Sequence, residues 1–212
     1  MKTYLFDFDG TLVDSMPTFV SVMLRILDEY HVSYGDDVIK TITPMGYAGA
    51  AQHFVTLGVP MTQEQVMELM GRRIYEEYLY RIPAKEYVAD VLGQLRAGGC
   101  SLNILTASPH TILDPCLKRL GLHELFDHIW SCDDFNTSKA DPDIYVRAAE
   151  QMGVPVNEVL FLDDNLNACK TAKRAGMRVC GVFDESSRDY MEDMKQETDH
   201  YIMDFRSLPE IQ

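Results

Sequence analysis

Hydrophobic positions along this chain follow two regimes. Short apolar runs at Thr3–Phe6, Ser101–Leu105, His128–Ser131, Glu158–Leu162 and Arg178–Val182 alternate with amphipathic stretches near Tyr87–Ala97, Thr111–Leu120, Asp143–Met152 and Leu166–Ala175. Runs that short and mostly apolar read as strands, and the amphipathic stretches between them as helices that cover the sheet. The pattern predicts an α/β fold with a parallel sheet covered by helices on both sides. Between Met16 and Tyr80 no alternating run occurs, and Phe19, Val22, Met23, Ile26 and Leu27 recur at helical spacing. This predicts a helical insert over 15–82, with 1–14 and 83–212 forming the sheet domain. Pro17 and Pro83 mark its two exits, where the chain changes direction and forms a two-strand hinge. Met16, Met23, Met45, Met67 and Met70 read as adaptable packing within the insert, and Trp130 as core.

A chain of 212 residues, 46% of them hydrophobic, can bury a core and carry one small insert. Its net charge of −14 argues against binding nucleic acid or anionic membranes, both of which need Lys and Arg to neutralise phosphates. The five cysteines are widely spaced with no C-x-x-C, which suggests neither a zinc site nor a disulfide framework. An amino terminus without a signal-peptide pattern, and no apolar run of membrane-spanning length, point to the cytoplasm.

Four sites along the chain carry candidate chemistry. The first apolar run ends in Asp7-Phe8-Asp9-Gly10-Thr11, two carboxylates one residue apart and then a glycine that turns the chain. The second run ends at Thr106, placed like Asp7. Lys139 lies in a polar loop before a helix, and the run Val159–Leu162 closes on Asp163 and Asp164. Taken singly, each has an ordinary explanation: an acidic turn, a helix cap, a solvated loop, a helix-start charge preference. Their order along the chain is what argues for a shared site at the edge of the sheet.

In that order the motifs resemble those of the haloacid dehalogenase-like (HAD) phosphohydrolase superfamily, over essentially the whole chain. The subgroup it looks most like contains phosphoglycolate phosphatases and β-phosphoglucomutases, with a Rossmann-like three-layer core and a small α-helical cap after the first motif. Leu162, Ala140 and Asn167 stand where many members have Gly, Pro and an acid. These departures bear on loop shape and substrate class more than on reaction type.

The resemblance implies an enzyme that hydrolyses a small phosphorylated metabolite with Mg²⁺. Asp7 would be the nucleophile and form an aspartyl-phosphate, and Asp9 the general acid and base. Thr106, Ala107 and Lys139 would bind the phosphoryl group, with Thr106 and Lys139 also counted as catalytic. The metal would lie among Asp7, Asp9 through its backbone carbonyl, Asp163 and Asp164, the last acting directly or through water. A crowd of carboxylates facing a phosphate independently calls for a hard divalent cation. Tyr47, His53, Arg72 and Arg73 are the insert residues to inspect for substrate choice, although a solvated helix face explains the arginines as well. His110 could approach a leaving group or simply open a helix. A phosphosugar mutase and a noncatalytic binding protein are the alternatives. Competent side chains at every reacting position weigh against the noncatalytic reading. Phe19 weighs against the mutase, because it occupies the spacing at which β-phosphoglucomutases lead one to expect a His.

Overall fold

A computed structural model describes residues 2–35, 37–42 and 45–210. Residues 1, 211 and 212 of the expected sheet domain, and 36, 43 and 44 of the expected insert, lie outside the described residues. The chain forms two compact units, Met1–Ser15 with Ile82–Gln212, and Met16–Arg81.

The first unit is built on a six-stranded sheet in the order β3-β2-β1-β4-β5-β6, every neighbouring pair parallel. Its strands are β1 (Thr3–Phe6), β2 (Ser101–Thr106), β3 (His128–Ser131), β4 (Val159–Asp163), β5 (Arg178–Val182) and β6 (His200–Ile202). All of β1, β2 and β4 is buried, which explains their mostly apolar composition, while the one mid-strand amide in β2, Asn103, is buried and donates to the Tyr4 carbonyl at 3.1 Å. On one face Leu5, Leu105, Trp130, Phe161 and Val179 pack with Ile144 and Tyr145 of α7 (Asp143–Met152), Ala168 and Ala172 of α8 (Leu166–Arg174) and Met194 of α9 (Met191–Glu197). On the other face, Phe6 stacks on Tyr4 and Phe205 and meets Phe126 edge-on. Alternate residues of one strand thus serve opposite layers, giving the Rossmann-like three-layer core. The remaining helices of this unit are α5 (Val88–Ala97) and α6 (His110–Arg119).

The hydrophobic pattern did not mark β6. That strand is three residues long, lies at the sheet edge and is flanked by Asp199 and Asp204, so it offers no periodicity to read. Ser15 and Ile82 group with the sheet unit rather than with the insert. The Ser15 hydroxyl donates to Asp9 at 2.7 Å, and the Ile82 carbonyl accepts from Arg119 at 2.5 Å.

The second unit holds α1 (Met16–Glu29), α2 (Val38–Ile42), α3 (Gly46–Leu57) and α4 (Gln63–Tyr80). Val22, Ile26 and Leu27 of α1 are buried, and Phe19 meets Tyr78 of α4 edge-on at 6.4 Å between ring centres. Glu77, buried on α4, is neutralised by Arg25 at 2.5 Å and Arg81 at 3.0 Å. These two pairs outweigh the penalty of burial and hold its carboxyl below the usual range. Among the described residues no helix is long and apolar enough to cross a membrane.

Thr62 opens α4 through a reciprocal cap. Its hydroxyl accepts from the Gln65 amide at 3.3 Å, while the Gln65 side chain accepts from the Thr62 amide at 2.9 Å. Thr62→Ala is expected to lower stability by about 1 kcal/mol in urea unfolding followed by circular dichroism. An unchanged midpoint and slope would mean that the cap does not hold α4.

Candidate active site

The order of strands reverses between β1 and β4, and it is at such a switch point that open α/β sheets bind ligands. Phe6 pairs with Leu162, and the Asp7 amide donates to the Leu162 carbonyl at 2.8 Å. Register therefore sets Asp7 beside Asp163. Asp7, Asp163 and Asp164 each present a carboxylate oxygen within 4.8 Å of the others, and all three are buried. Lys139 reaches them from its loop, donating to Asp7 and, at 2.8 Å, to Asp163. Its ammonium also lies 5.6 Å from the centre of the Phe161 ring.

Several unmarked residues build this geometry. The Tyr145 hydroxyl, on α7, lies 3.2 Å from the Lys139 carbonyl and 3.3 Å from that of Ala168, tying the lysine loop to the start of α8. Asn165 caps α8 by accepting from the Asn167 and Ala168 amides, and its own amide donates to Asp163 at 2.7 Å. Thr11 donates to Asp164 at 3.2 Å and accepts from the Asp164 amide at 3.1 Å. Gly10 has φ +74°, and a Cβ there would stand 2.5 Å from an Asp164 carboxylate oxygen. A side chain at position 10 would therefore be strained by the backbone conformation and would force the Asp164 carboxylate to shift.

Asp9 stands apart from the three clustered carboxylates. One of its oxygens accepts from Ser15 at 2.7 Å and the other from Ser108 at 2.5 Å. Thr106, buried at the end of β2, accepts from the Ser108 amide at 3.1 Å, which leaves its own hydroxyl proton available. Ala107 follows, exposed at the rim. Extended geometry alone would aim Asp7 and Asp9 the same way. The chain has left the strand by Asp9, which forms an isolated bridge with Val13, and the two side chains find different partners. Ser15, Ser108, Thr11 and Tyr145 were not identified from sequence as site residues. The T-x-S spacing of Thr106 and Ser108, and the hydroxyl next to Gly10, were the available signals.

The electrostatics are lopsided. Burial drives the Asp7 carboxyl well above the usual range, and Asp163, Asp164 and Asp9 add to the shift against the opposing pull of Lys139. Burial, then Asp163 and Asp184, push Asp164 up to about 7. Burial alone would discharge Lys139, but Asp163 and Asp7 outweigh it and keep the ammonium charged. Lys139 thus faces several carboxylates, and Lys85 also pulls against the rise at Asp164. Oxygen-only donors with no His or Cys among them suit a hard divalent ion such as Mg²⁺ better than zinc.

The other candidates lie elsewhere. His110 opens α6 between Asp114 at 3.0 Å and Asp134 at 2.8 Å, and those two hydrogen bonds raise its pKa. Gly46–Gly49 forms the first turn of α3, which carries Tyr47. In the helical unit Arg72 is exposed, Arg73 pairs with Glu29 at 2.8 Å, and His53 is half-buried on α3. The Tyr47 hydroxyl would lie 3.4 Å from a Cβ added at Gly71 of α4, and burial pushes its pKa up to about 12.

A doubly wound parallel sheet with carboxylates gathered at its switch point defines an α/β enzyme of polar, charge-handling chemistry. The haloacid dehalogenase-like hydrolase family model matches residues 1–176. The chain belongs to that family and is a phosphoric monoester hydrolase. It is 32% identical over 203 residues to the phosphoglycolate phosphatase of Escherichia coli strain K12, covering 84% of this chain and 79% of that protein. The Shigella boydii phosphoglycolate phosphatase is 30% identical over 202 residues, with the same coverage of each chain. Among solved structures, a candidate β-phosphoglucomutase from Thermotoga maritima superposes with a TM-score of 0.86 at 20% identity, covering all of both chains.

Gly10→Ala is expected to leave circular dichroism unchanged and to reduce phosphatase kcat by about 100-fold, since a shift of about 1 Å in a reacting group suffices for that loss. Wild-type kcat would show that the Gly10 loop and Asp164 yield without cost.

Proposed function

We propose that this enzyme is a Mg²⁺-dependent phosphatase of a small phosphorylated metabolite, acting in the cytoplasm through an aspartyl-phosphate on Asp7. The observation that carries the reading is the meeting of Asp7, Asp163 and Asp164 with Lys139 at one sheet edge. Asp7, Asp163 and the Asp9 backbone carbonyl would hold the ion, with Asp164 touching it directly or through water. Bound there, it supplies positive charge to the phosphoryl oxygens and to the carboxylates around them.

The chain's own groups account for the remaining steps. The Thr106 hydroxyl donates to a nonbridging phosphoryl oxygen, next to the Ala107 backbone, and Lys139 balances charge between Asp7 and the phosphoryl group. An Asp7 oxygen attacks phosphorus as the ester P–O bond breaks, and the departing alkoxide takes a proton from the Asp9 carboxyl. Water then attacks the aspartyl-phosphate and gives its proton to the Asp9 carboxylate. The P–O bond to Asp7 breaks, releasing phosphate and restoring both acids. Ser15 and Ser108 can donate to Asp9 or accept from it, so they serve either of its protonation states. Hydrolysis rather than isomerisation is favoured by Phe19, whose phenyl ring offers no hydrogen bond.

Phosphate release from phosphoglycolate, phosphosugars and nucleotides, with Mg²⁺ and with excess chelator, tests the reading. The names of the relatives put phosphoglycolate first in that panel. Activity is expected with Mg²⁺ alone, and Asp7→Asn is expected to abolish it with the fold intact. Undiminished rates in chelator, or an active Asp7→Asn variant, would falsify the proposal. Glucose 6-phosphate forming from β-glucose 1-phosphate faster than phosphate appears would select the mutase.

A pH dependence of stability follows from Asp164. Its folded pKa of about 7 exceeds its ordinary 3.8. Over that window the metal-free folded protein retains a proton that the unfolded chain has lost, so the contribution is fully present below the window and is lost as pH rises through it. Asp7 acts with the same sign. Mg²⁺ should therefore raise the melting temperature more at pH 8 than at pH 5.5, a comparison in which groups remote from the metal cancel. A larger Mg²⁺ effect at pH 5.5 would contradict the assignment of the ion to these carboxylates.

A further inference from the structure

Lys85 belongs to none of the motifs, yet its side chain is fully engaged beside them. Its Nζ donates to the Gly10 carbonyl at 2.7 Å, the Phe183 carbonyl at 2.7 Å and Asp184 at 2.9 Å. An ammonium has three protons, so no donor is left over. The side chain is 19% exposed and that of Asp184 4%. Burial would raise the Asp184 pKa, but its hydrogen bonds to Ser186 and Lys85 outweigh that and keep it ionised. The backbone on either side is also fixed. The Lys85 amide donates to Leu12 at 3.0 Å, the Asp14 amide donates to Pro83 at 3.0 Å, and Val13 bridges Ala84 antiparallel.

The strand order gives these contacts their meaning. β4 lies between β1 and β5. Gly10 follows β1, Asp164 follows β4, and Phe183 with Asp184 follows β5. Lys85 therefore spans from the loop on one side of Asp164 to the loop on the other. On the near side, the held Gly10 has no room for a Cβ against the Asp164 carboxylate, and its neighbour Thr11 makes two hydrogen bonds to Asp164.

We infer that Lys85 is a positioning residue for the acidic cluster, fixing the Gly10 carbonyl and through it the Gly10–Thr11 loop that sets the Asp164 carboxylate. The inference rests on the Mg²⁺-phosphatase reading, because the property it controls is the readiness of those carboxylates to take the ion. Lys85 touches neither the reacting carboxylate nor Lys139, so its loss should act on the metal and on kcat and leave the KM of the phosphorylated substrate within about 2-fold.

Titration calorimetry of Mg²⁺ into the metal-free full chain, paired with phosphatase kinetics, provides the test. The wild type is measured first; a wild type that binds no Mg²⁺ overturns both the functional reading and this inference. Lys85→Met is expected to weaken Mg²⁺ binding by about 10- to 100-fold, as removal of groups that orient metal ligands does elsewhere. Because that variant leaves Asp184 charged and unpaired in a buried place, Lys85→Met/Asp184→Asn is made alongside it. The double variant removes the stranded charge and retains an oxygen to accept from Ser186, so its melting temperature should recover toward wild type. Its Mg²⁺ affinity should not recover, since the Gly10 carbonyl still lacks its donor. A double variant with restored melting temperature, wild-type Mg²⁺ affinity and wild-type kcat would overturn the role of Lys85 while leaving the phosphatase reading intact.

Discussion

The organising constraint is the crowding of buried carboxylates at one sheet edge, with the largely enclosed Lys139 ammonium set against them. Asp7, Asp163 and Asp164 are gathered with Lys139 paired to two of them, and Asp9 is close enough to add to the strain on Asp7. Such a cluster costs free energy unless protons or cations join it. The fold keeps it in place because each acid is anchored by backbone that other interactions have already fixed. Asp7 continues the β1–β4 ladder, Asp163 is the last residue of β4, and Asp164 is held through its amide by Thr11. The sheet imposes the proximity of these charges, and that unfavourable proximity is what a bound cation would relieve.

Much of this was legible in the amino-acid order, for a physical reason. A strand buried on both faces is mostly apolar, so β1, β2 and β4 announce themselves, and the acids and hydroxyl at their ends stand out as the edge of the sheet. Asp7, Thr106, Asp163 and Asp164 could all be read that way. Lys139 could be read only from the order of motifs, because a lysine in a polar loop is ordinary. What escaped were the groups that act through a neighbour. Ser108, Ser15, Thr11 and Tyr145 are residue types with many roles, and their partners lie up to 153 positions away in the chain. Nothing local distinguishes a serine that binds Asp9 from one that caps a turn. The edge strand β6 escaped for the opposite reason, being too short for any pattern to form.

The separation of Asp7 from Asp9 carries the argument furthest. Two identical side chains, separated by one residue, are given different surroundings. Asp7 stays in line with the strand, is stripped of water and faces other charges. Asp9 has already left the strand, and its oxygens meet two hydroxyls. A carboxylate among charges, with an ammonium on one oxygen, is held in one orientation, as a nucleophile needs. A carboxylate between hydroxyls sits among partners that can reverse their hydrogen bonds, as a group that must give up and recover a proton needs. The turn at Gly10 is what allows the difference: the chain folds back through a left-handed residue immediately after Asp9, and the second acid points toward Ser15 and the end of β2 rather than into the crowd. The division of chemical labour proposed for these like residues therefore rests on where the strand ends.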